Sequence, residues 1–268
     1  MIKNIEGLIN KVTEEIKNFT DVAVIGLSGG ADSTLVAILC MKALGKENVC
    51  GLHLPFDTLD MNTFNKRSKI FAEKIGIRNF EIAIGRITSE INNSVHQLLS
   101  SLSTINKGNS RARARMCVLY SFAHELESFH KKRVRVMNTC NLSETFSNYE
   151  TKYGDGAGDI APIGSLFKSE IYQLLDYFRD QGIITDDMID RVPSAALFEG
   201  QTDQGELGYS YDEMEPAMRK ILKDPCSFNL YSIEPKNEIE KLVFEKYRQS
   251  GHKRQVSPPI IQLREFCD

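Results

Sequence analysis

Two hydrophobic periods alternate along the chain, and their alternation predicts a fold class. Ile5, Leu8, Ile9, Val12, Ile16 and Phe19 recur at helical spacing with polar residues between them, the stripe of an amphipathic opening helix. Val22 to Leu27 is then continuously apolar, as a strand covered on both faces would be. Beyond a glycine turn, Leu35, Val36, Ile38, Leu39 and Ala43 mark a buried helix ending near Gly45, and Val49 to Leu54 a second strand closed by Pro55. Phe64 to Ile75 reads as a helix stopped by Gly76, and Phe80 to Ile84 as a third strand. Thr88 is placed to cap a helix over 89–102, a longer helix runs from about Asn109 to His130, and Arg133 to Met137 is a short fourth strand. Strands alternating with helices imply a parallel, doubly wound sheet with right-handed crossovers. Ligands of such sheets lie beyond the carboxyl ends of the strands, which points to the neighbourhoods of Ser28, Leu54 and Asn138.

Periodicity fails in three places. Asn148 to Pro162 is rich in glycine and charge and precedes a helix over about 168–178. Val192 to Tyr211, with Pro193, Gly200, Gly205 and Gly208, reads as a second long loop, and Ser250 to Pro259 as a polar tail. Long loops in a compact domain are where function concentrates.

Composition narrows the picture. With 268 residues, 41% hydrophobic and 26% charged, the chain can bury a sizeable core, and one α/β domain over 1–268 is expected. A net charge of −3 gives no electrostatic case for a nucleic-acid or membrane partner. Cysteines at 40, 50, 117, 140, 226 and 267 form no Cys-x-x-Cys pair, so reduced thiols are expected, with neither disulfides nor structural zinc. Glu6 and Lys11 interrupt the opening pattern, which is no signal peptide, and a cytoplasmic location is the expectation.

The chemistry begins at Gly26-Leu27-Ser28-Gly29-Gly30-Ala31-Asp32-Ser33, where the first strand gives way to a helix. Adjacent glycines let several backbone N–H groups converge on an anion at the helix N-terminus. Ser28 and Ser33 add hydroxyls, and Asp32 can hold a metal ion. A Walker loop would require a lysine and a spacing that are absent here. The run matches instead the Ser-Gly-Gly-x-Asp-Ser signature of the ATP pyrophosphatases, which cleave ATP between its α and β phosphates. Glu144 follows a different strand, so the fold could bring it beside Asp32 around Mg²⁺, a cation suited to phosphate and carboxylate oxygens. Arg111, Arg113 and Arg115 alternate, so 111 and 115 share a helix face while 113 points elsewhere. Lys168 stands at a helix start, where the dipole disfavours a cation, and so invites a functional reason.

Taken together, the later motifs resemble the ammonia-dependent NAD synthetases. The resemblance rests on the 108–116 block Gly-Asn-Ser-Arg-Ala-Arg-Ala-Arg-Met, on Tyr120, and on Thr139-Cys140-Asn141-Leu142-Ser143-Glu144. It continues through Thr151-Lys152-Tyr153-Gly154-Asp155-Gly156, Asp159, Pro162 and Lys168, then Pro193-Ser194-Ala195, Gly200-Gln201-Thr202-Asp203, Glu206-Leu207-Gly208 and His252-Lys253. It implies a mainly parallel five-stranded sheet with helices on both faces, of the adenine nucleotide alpha hydrolase-like class. It further implies amidation of deamido-NAD to NAD by ATP and ammonia, with AMP and pyrophosphate released, Mg²⁺ as cofactor and a homodimer with the dinucleotide near the subunit interface. By the same resemblance, Gly26 to Ser33, Thr139, Lys168 and Ser194 contact ATP; Arg113, Lys152, Asp159, His252 and Lys253 contact the dinucleotide; Asp32 and Glu144 hold the metal; and Asp32, Glu144 and Lys168 are catalytic. Asp159 is the one candidate general base. The match uses nearly the whole chain, so free ammonia is the expected nitrogen donor. Asn138 and Asn148 stand where the family commonly has glycine, Arg111 where it has Gln or Lys, and Gln204 where it has Glu. The rival readings keep the ATP chemistry with another acceptor, such as a tRNA base, a citrulline or a purine nucleotide, or keep nucleotide binding alone.

Overall fold

The computed structural model describes residues 1–56, 58–186, 202–223 and 234–254, apart from the side chains of 58–65 and 223. Helix α1 (Ile5–Phe19) starts at Asn4, whose side chain accepts from the Gly7 N–H, and leads into strand β1 (Val22–Gly26). Helix α2 (Ala31–Leu44), strand β2 (Val49–His53), helix α3 (Thr58–Ile75) and strand β3 (Arg78–Glu81) complete the first two crossovers. Helices α4 (Gly85–His96) and α5 (Thr104–His130) then carry the chain to strand β4 (Val134–Val136).

The strands lie in the order β3-β2-β1-β4 and every pairing is parallel, which puts the carboxyl ends of all four on one side. Along β1, residues point alternately to the two faces, as a strand's period of two requires. Ala23, Ile25 and Leu27 meet α1, α2, α3 and α7 (Lys168–Asp180), whereas Val22 and Val24 meet α5 and the start of α4. Gly51 on β2 is where this packing is closest: a Cβ there would lie 2.3 Å from Leu27 Cδ1.

Four strands are present among the described residues, where five were expected. Chemistry at the outer edge of β4 accounts for the difference. The Val136 N–H donates to Asp159 Oδ2 at 2.7 Å, the Asp159 N–H returns a bond to the Val136 carbonyl, and Met137 and Ile160 form a single parallel bridge. A side chain thus takes over an edge donor, and Pro162, which has no N–H, discourages further pairing. Other boundaries also move. Strand β3 sits earlier than 80–84, and α3 and α5 begin before Phe64 and Asn109. Thr88 lies inside α4, its hydroxyl donating back to the Ile84 carbonyl, rather than at its cap.

A third cluster covers the carboxyl end of the sheet. It joins α6 (Leu142–Phe146), α8 (Asp203–Leu207), α9 (Tyr211–Lys223) and α10 (Glu238–Gln249) around Phe146, Phe167, Met214, Met218, Val243, Phe244 and Tyr247. Helices α9 and α10 were not anticipated, although Tyr211, Met214, Met218 and Ile221 carry a helical period.

Candidate active site

The turn after β1 is held by its own residues. Gly29 takes a φ of 73°, a left-handed value that glycine adopts without strain. Ser28 Oγ accepts from the Gly30 N–H at 3.2 Å and lies 3.1 Å from Ser33 Oγ, which accepts from the Ser28 N–H and donates to the Gly30 carbonyl. The N-cap of α2 is Gly30, whose lack of a side chain leaves the first N–H groups of α2 without a side-chain cap. Such a helix N-terminus favours an anion.

Asp32, in the first turn of α2, meets residues from two other elements. Its Oδ2 accepts from Lys168 Nζ at 2.5 Å, and its Oδ1 accepts from Asn141 Nδ2 at 2.9 Å. Lys168 Nζ also lies 3.5 Å from Glu144 Oε1. The three side chains are 17%, 6% and 16% exposed for Asp32, Lys168 and Glu144. Burial, and then the neighbouring Asp32 charge, push the Glu144 carboxyl up to about 8 against the pull of Lys168. Burial alone would lower the Lys168 ammonium, but the Asp32 and Glu144 carboxylates outweigh it and hold that group above the usual lysine range. Asp203 lies near this group and is buried; its Oδ2 accepts from the Tyr211 hydroxyl at 3.0 Å, and Lys168 Nζ sits 5.8 Å from the Tyr211 ring centre.

Asn141, which the sequence marks only as part of the 139–144 motif, has a role of its own. It is fully buried, and its side chain does two things at once: Oδ1 caps α6 by accepting from the Glu144 N–H at 3.0 Å, while Nδ2 reaches Asp32. Glu144 answers by accepting from the Asn141 N–H through Oε2. This capping box orients the carboxylate that faces Lys168. The sequence signal was an Asn three residues before a Glu.

The basic residues gather on a second wall. Arg111 stacks 3.6 Å over the Phe56 ring and Arg115 Nε donates to the Leu54 carbonyl, while Arg113 Nε reaches the Lys152 carbonyl at 3.4 Å. The three arginines thus reach two parts of this wall, Arg111 and Arg115 the 54–56 stretch and Arg113 the Lys152 loop, as their spacing requires. Lys152 Nζ donates to the His252 carbonyl at 2.5 Å, and Lys253 Nζ to the carbonyls of Asn148 and Glu150 at 3.2 and 2.5 Å. The 250–254 segment therefore closes on the 148–152 loop. Asn148 has a φ of 60°, a left-handed value that asparagine adopts more readily than most residues with a side chain. Asn138, the other departure, binds the carbonyls of Asp155 and Ala157 through Nδ2 and shapes that loop. Asp159 anchors β4 and accepts from the Tyr120 hydroxyl at 3.3 Å, so both of its oxygens have protein partners. Thr139 is half-buried between β4 and α6. Ser194 lies outside the described residues.

The family described as NAD synthase matches residues 1–257. A relative from Methanosarcina acetivorans, named NH(3)-dependent NAD(+) synthetase, is 38% identical over 95% of this chain and 97% of its own length. Among solved structures, an NMN synthetase from Francisella tularensis superposes with a TM-score of 0.76 at 27% identity, covering 97% of this chain and 99% of that one. An NH3-dependent NAD synthetase from Campylobacter jejuni, in complex with the nitrate ion, gives 0.70 at 26%, covering 97% and 100%.

Proposed function

The chain belongs to the NAD synthase family, and from that premise we propose that it is a ligase amidating deamido-NAD to NAD with ATP and ammonia, releasing AMP and pyrophosphate. The observation that carries this reading is the Asp32–Lys168–Glu144 group set directly beside the serine-glycine turn. A carboxylate is a poor electrophile because its leaving group would be oxide. A carboxylate oxygen of the acceptor therefore first attacks the α-phosphorus of ATP, and the bond to the bridging oxygen breaks to release pyrophosphate. Ammonia then attacks the acyl carbon, the C–N bond forms, the bond to AMP breaks, and the surplus proton passes to solvent.

In this scheme the N–H and hydroxyl groups of the turn bind phosphate, and Lys168 places a buried cation beside it. Arg113, Lys152, His252 and Lys253 bind the acceptor, and holding it in line with ATP supplies much of the acceleration. Mg²⁺ fits the donor set: Asp32 and Glu144 offer two hard oxygen ligands, and this cation commonly takes one or two carboxylates plus substrate phosphates. When bound it would neutralise developing charge on pyrophosphate. A homodimer is supported by the apolar side chains left exposed along α4, the connection after it and the start of α5: Ile87, Ile91, Leu98, Leu99 and Ile105. No helix among the described residues is long and apolar enough to cross a membrane.

The test is a purified-protein assay with Mg-ATP, deamido-NAD and either ammonium or glutamine. NAD and AMP should form with ammonium; ADP in place of AMP would refute the mechanism. The likeness to a protein named NMN synthetase favours one second reading, a mononucleotide acceptor. Nicotinic acid mononucleotide in parallel decides it by relative kcat/KM.

A further inference from the structure

Glu215 belongs to none of the motifs, yet both of its oxygens are engaged at the site. It lies in the second turn of α9 and is 4% exposed. Its Oε1 accepts from Ser143 Oγ and from the Ser169 N–H, each at 3.0 Å. Its Oε2 accepts from Ser169 Oγ and lies 3.6 Å from the Arg219 guanidinium. Ser143 immediately precedes Glu144, and Ser169 immediately follows Lys168. Ser143 Oγ in turn accepts from the Lys168 N–H at 3.0 Å. One carboxylate from α9 therefore ties together the backbone beside both residues that face Asp32.

Local cost makes the arrangement informative. Helix α7 opens with Phe167 at its N-cap, a residue with no acceptor, and with Lys168, a cation at the end of the helix that disfavours one. Glu215 supplies both the missing acceptor and a compensating charge. A buried carboxylate is nevertheless expensive to desolvate, and an apolar side chain of similar volume would fill this place beside Met214 and Met218 more cheaply. What no apolar side chain provides is a fixed distance between α6 and α7, and with it the register of Glu144 against Lys168.

We propose that Glu215 is a positioning residue for the nucleotide half of the site, holding Glu144 and Lys168 in the geometry that receives Mg-ATP. The proposal rests on the functional reading above. Calorimetric titration of the full chain with ATP, with and without Mg²⁺, tests it without reference to the acceptor. Glu215→Ala should weaken Mg-ATP binding about tenfold and lower kcat for AMP formation by about 10²-fold, the order expected for a displacement near 1 Å, while the acceptor KM stays unchanged. Glu215→Gln keeps an oxygen for Ser143 Oγ and the Ser169 N–H, and should recover most of both. Should the alanine variant fail to fold, Ser169→Ala, which loses one hydroxyl arm of the clamp, should shift both quantities in the same direction by less. A variant that melts at lower temperature yet, while folded, binds Mg-ATP and turns over as the parent does would reduce Glu215 to a helix cap and overturn the proposal. Failure of the parent protein to bind Mg-ATP would instead remove the functional reading, and this inference with it.

Discussion

The two walls of the site are built in opposite ways. On the nucleotide wall, the turn after β1 closes on itself through bonds between Ser28, Gly30 and Ser33, at most five residues apart. On the acceptor wall, Lys152, Lys253 and Arg113 bond carbonyls that lie from 39 to 105 residues away in the chain. The turn needs only a strand, two glycines and a helix. The acceptor wall exists only while α10 and the 250–254 segment are held against the 148–152 loop. Damage to the turn should therefore strike chemistry in a folded protein, whereas damage to α10 and its packing should strike acceptor binding together with stability.

Asp32→Ala gives the sharpest form of that contrast. It removes a proposed metal ligand and the nearest partner of Lys168 but leaves Glu144 to that lysine, so the protein should stay folded. AMP formation should fall by about 10³-fold or more, the scale of losing a main electrostatic contact. Near-normal turnover would refute the assigned role of Asp32. Next comes Phe244→Ala. Phe244 is almost fully buried in the cluster with Phe146 and Tyr247, so its truncation should cost about 3 kcal/mol of stability, read by chemical denaturation. Helix α10 also carries Tyr247, on which Arg254 stacks at 3.6 Å. The acceptor KM should rise, while Mg-ATP affinity of the folded fraction holds because α9 keeps its bonds through Glu215. Equal loss of both affinities would dissolve the distinction between the walls.

The same contrast explains how far the sequence could be read. The turn was legible in full, since a Ser-Gly-Gly-x-Asp-Ser run between a strand and a helix determines its own hydrogen bonds. Lys168 was legible because a cation at a helix start runs against the dipole. Asn141 and Glu215 were not, because each acts through partners brought near by packing: 109 residues separate Asn141 from Asp32, and 72 separate Glu215 from Ser143. The fifth strand that the described residues lack has the same origin. Nothing in the composition of 159–162 says that the Asp159 side chain will take the Val136 N–H that another strand would have used. Helices α9 and α10 are different, for Tyr211, Met214, Met218 and Ile221, and Ile239, Val243, Phe244 and Tyr247, carry their helical period in the sequence itself.

Lys253→Met probes the acceptor wall more gently. Its ammonium donates to two carbonyls of the 148–150 stretch, and methionine keeps an unbranched apolar stem but neither bond. The acceptor KM should rise about tenfold, the order of one charge-assisted hydrogen bond, with kcat for bound substrate and Mg-ATP affinity little changed. Steady-state kinetics with acceptor and ATP varied in turn would show it. A loss expressed in kcat alone would mean that the 250–254 segment serves the chemical step rather than the grip on the acceptor.

The smallest effect belongs to the far end of the sheet, where neither wall is involved. Asp21, just before β1, accepts from the Arg133 N–H at 2.9 Å and from its guanidinium at 2.8 Å, joining the amino ends of β1 and β4. Hydrogen bonds from the Arg133 side chain and then its backbone hold the Asp21 carboxyl down at about 2. A folded value below the unfolded one stabilises the protein at pH above the unfolded value, and that contribution is lost as pH falls toward the folded value. Both side chains are more than a third exposed, so solvent screens the pair. Asp21→Asn should therefore lower Tm by only about 2 °C at pH 7. The gap should narrow below about pH 4, where the unfolded chain's Asp21 begins to take up the proton that the folded one refuses. Turnover should not change, since the pair lies at the opposite end of the strands from Ser28 and Asn138. A shift in kcat would mean that strain at the amino end of β1 reaches the turn, and that the nucleotide wall is less self-contained than its short-range bonds make it.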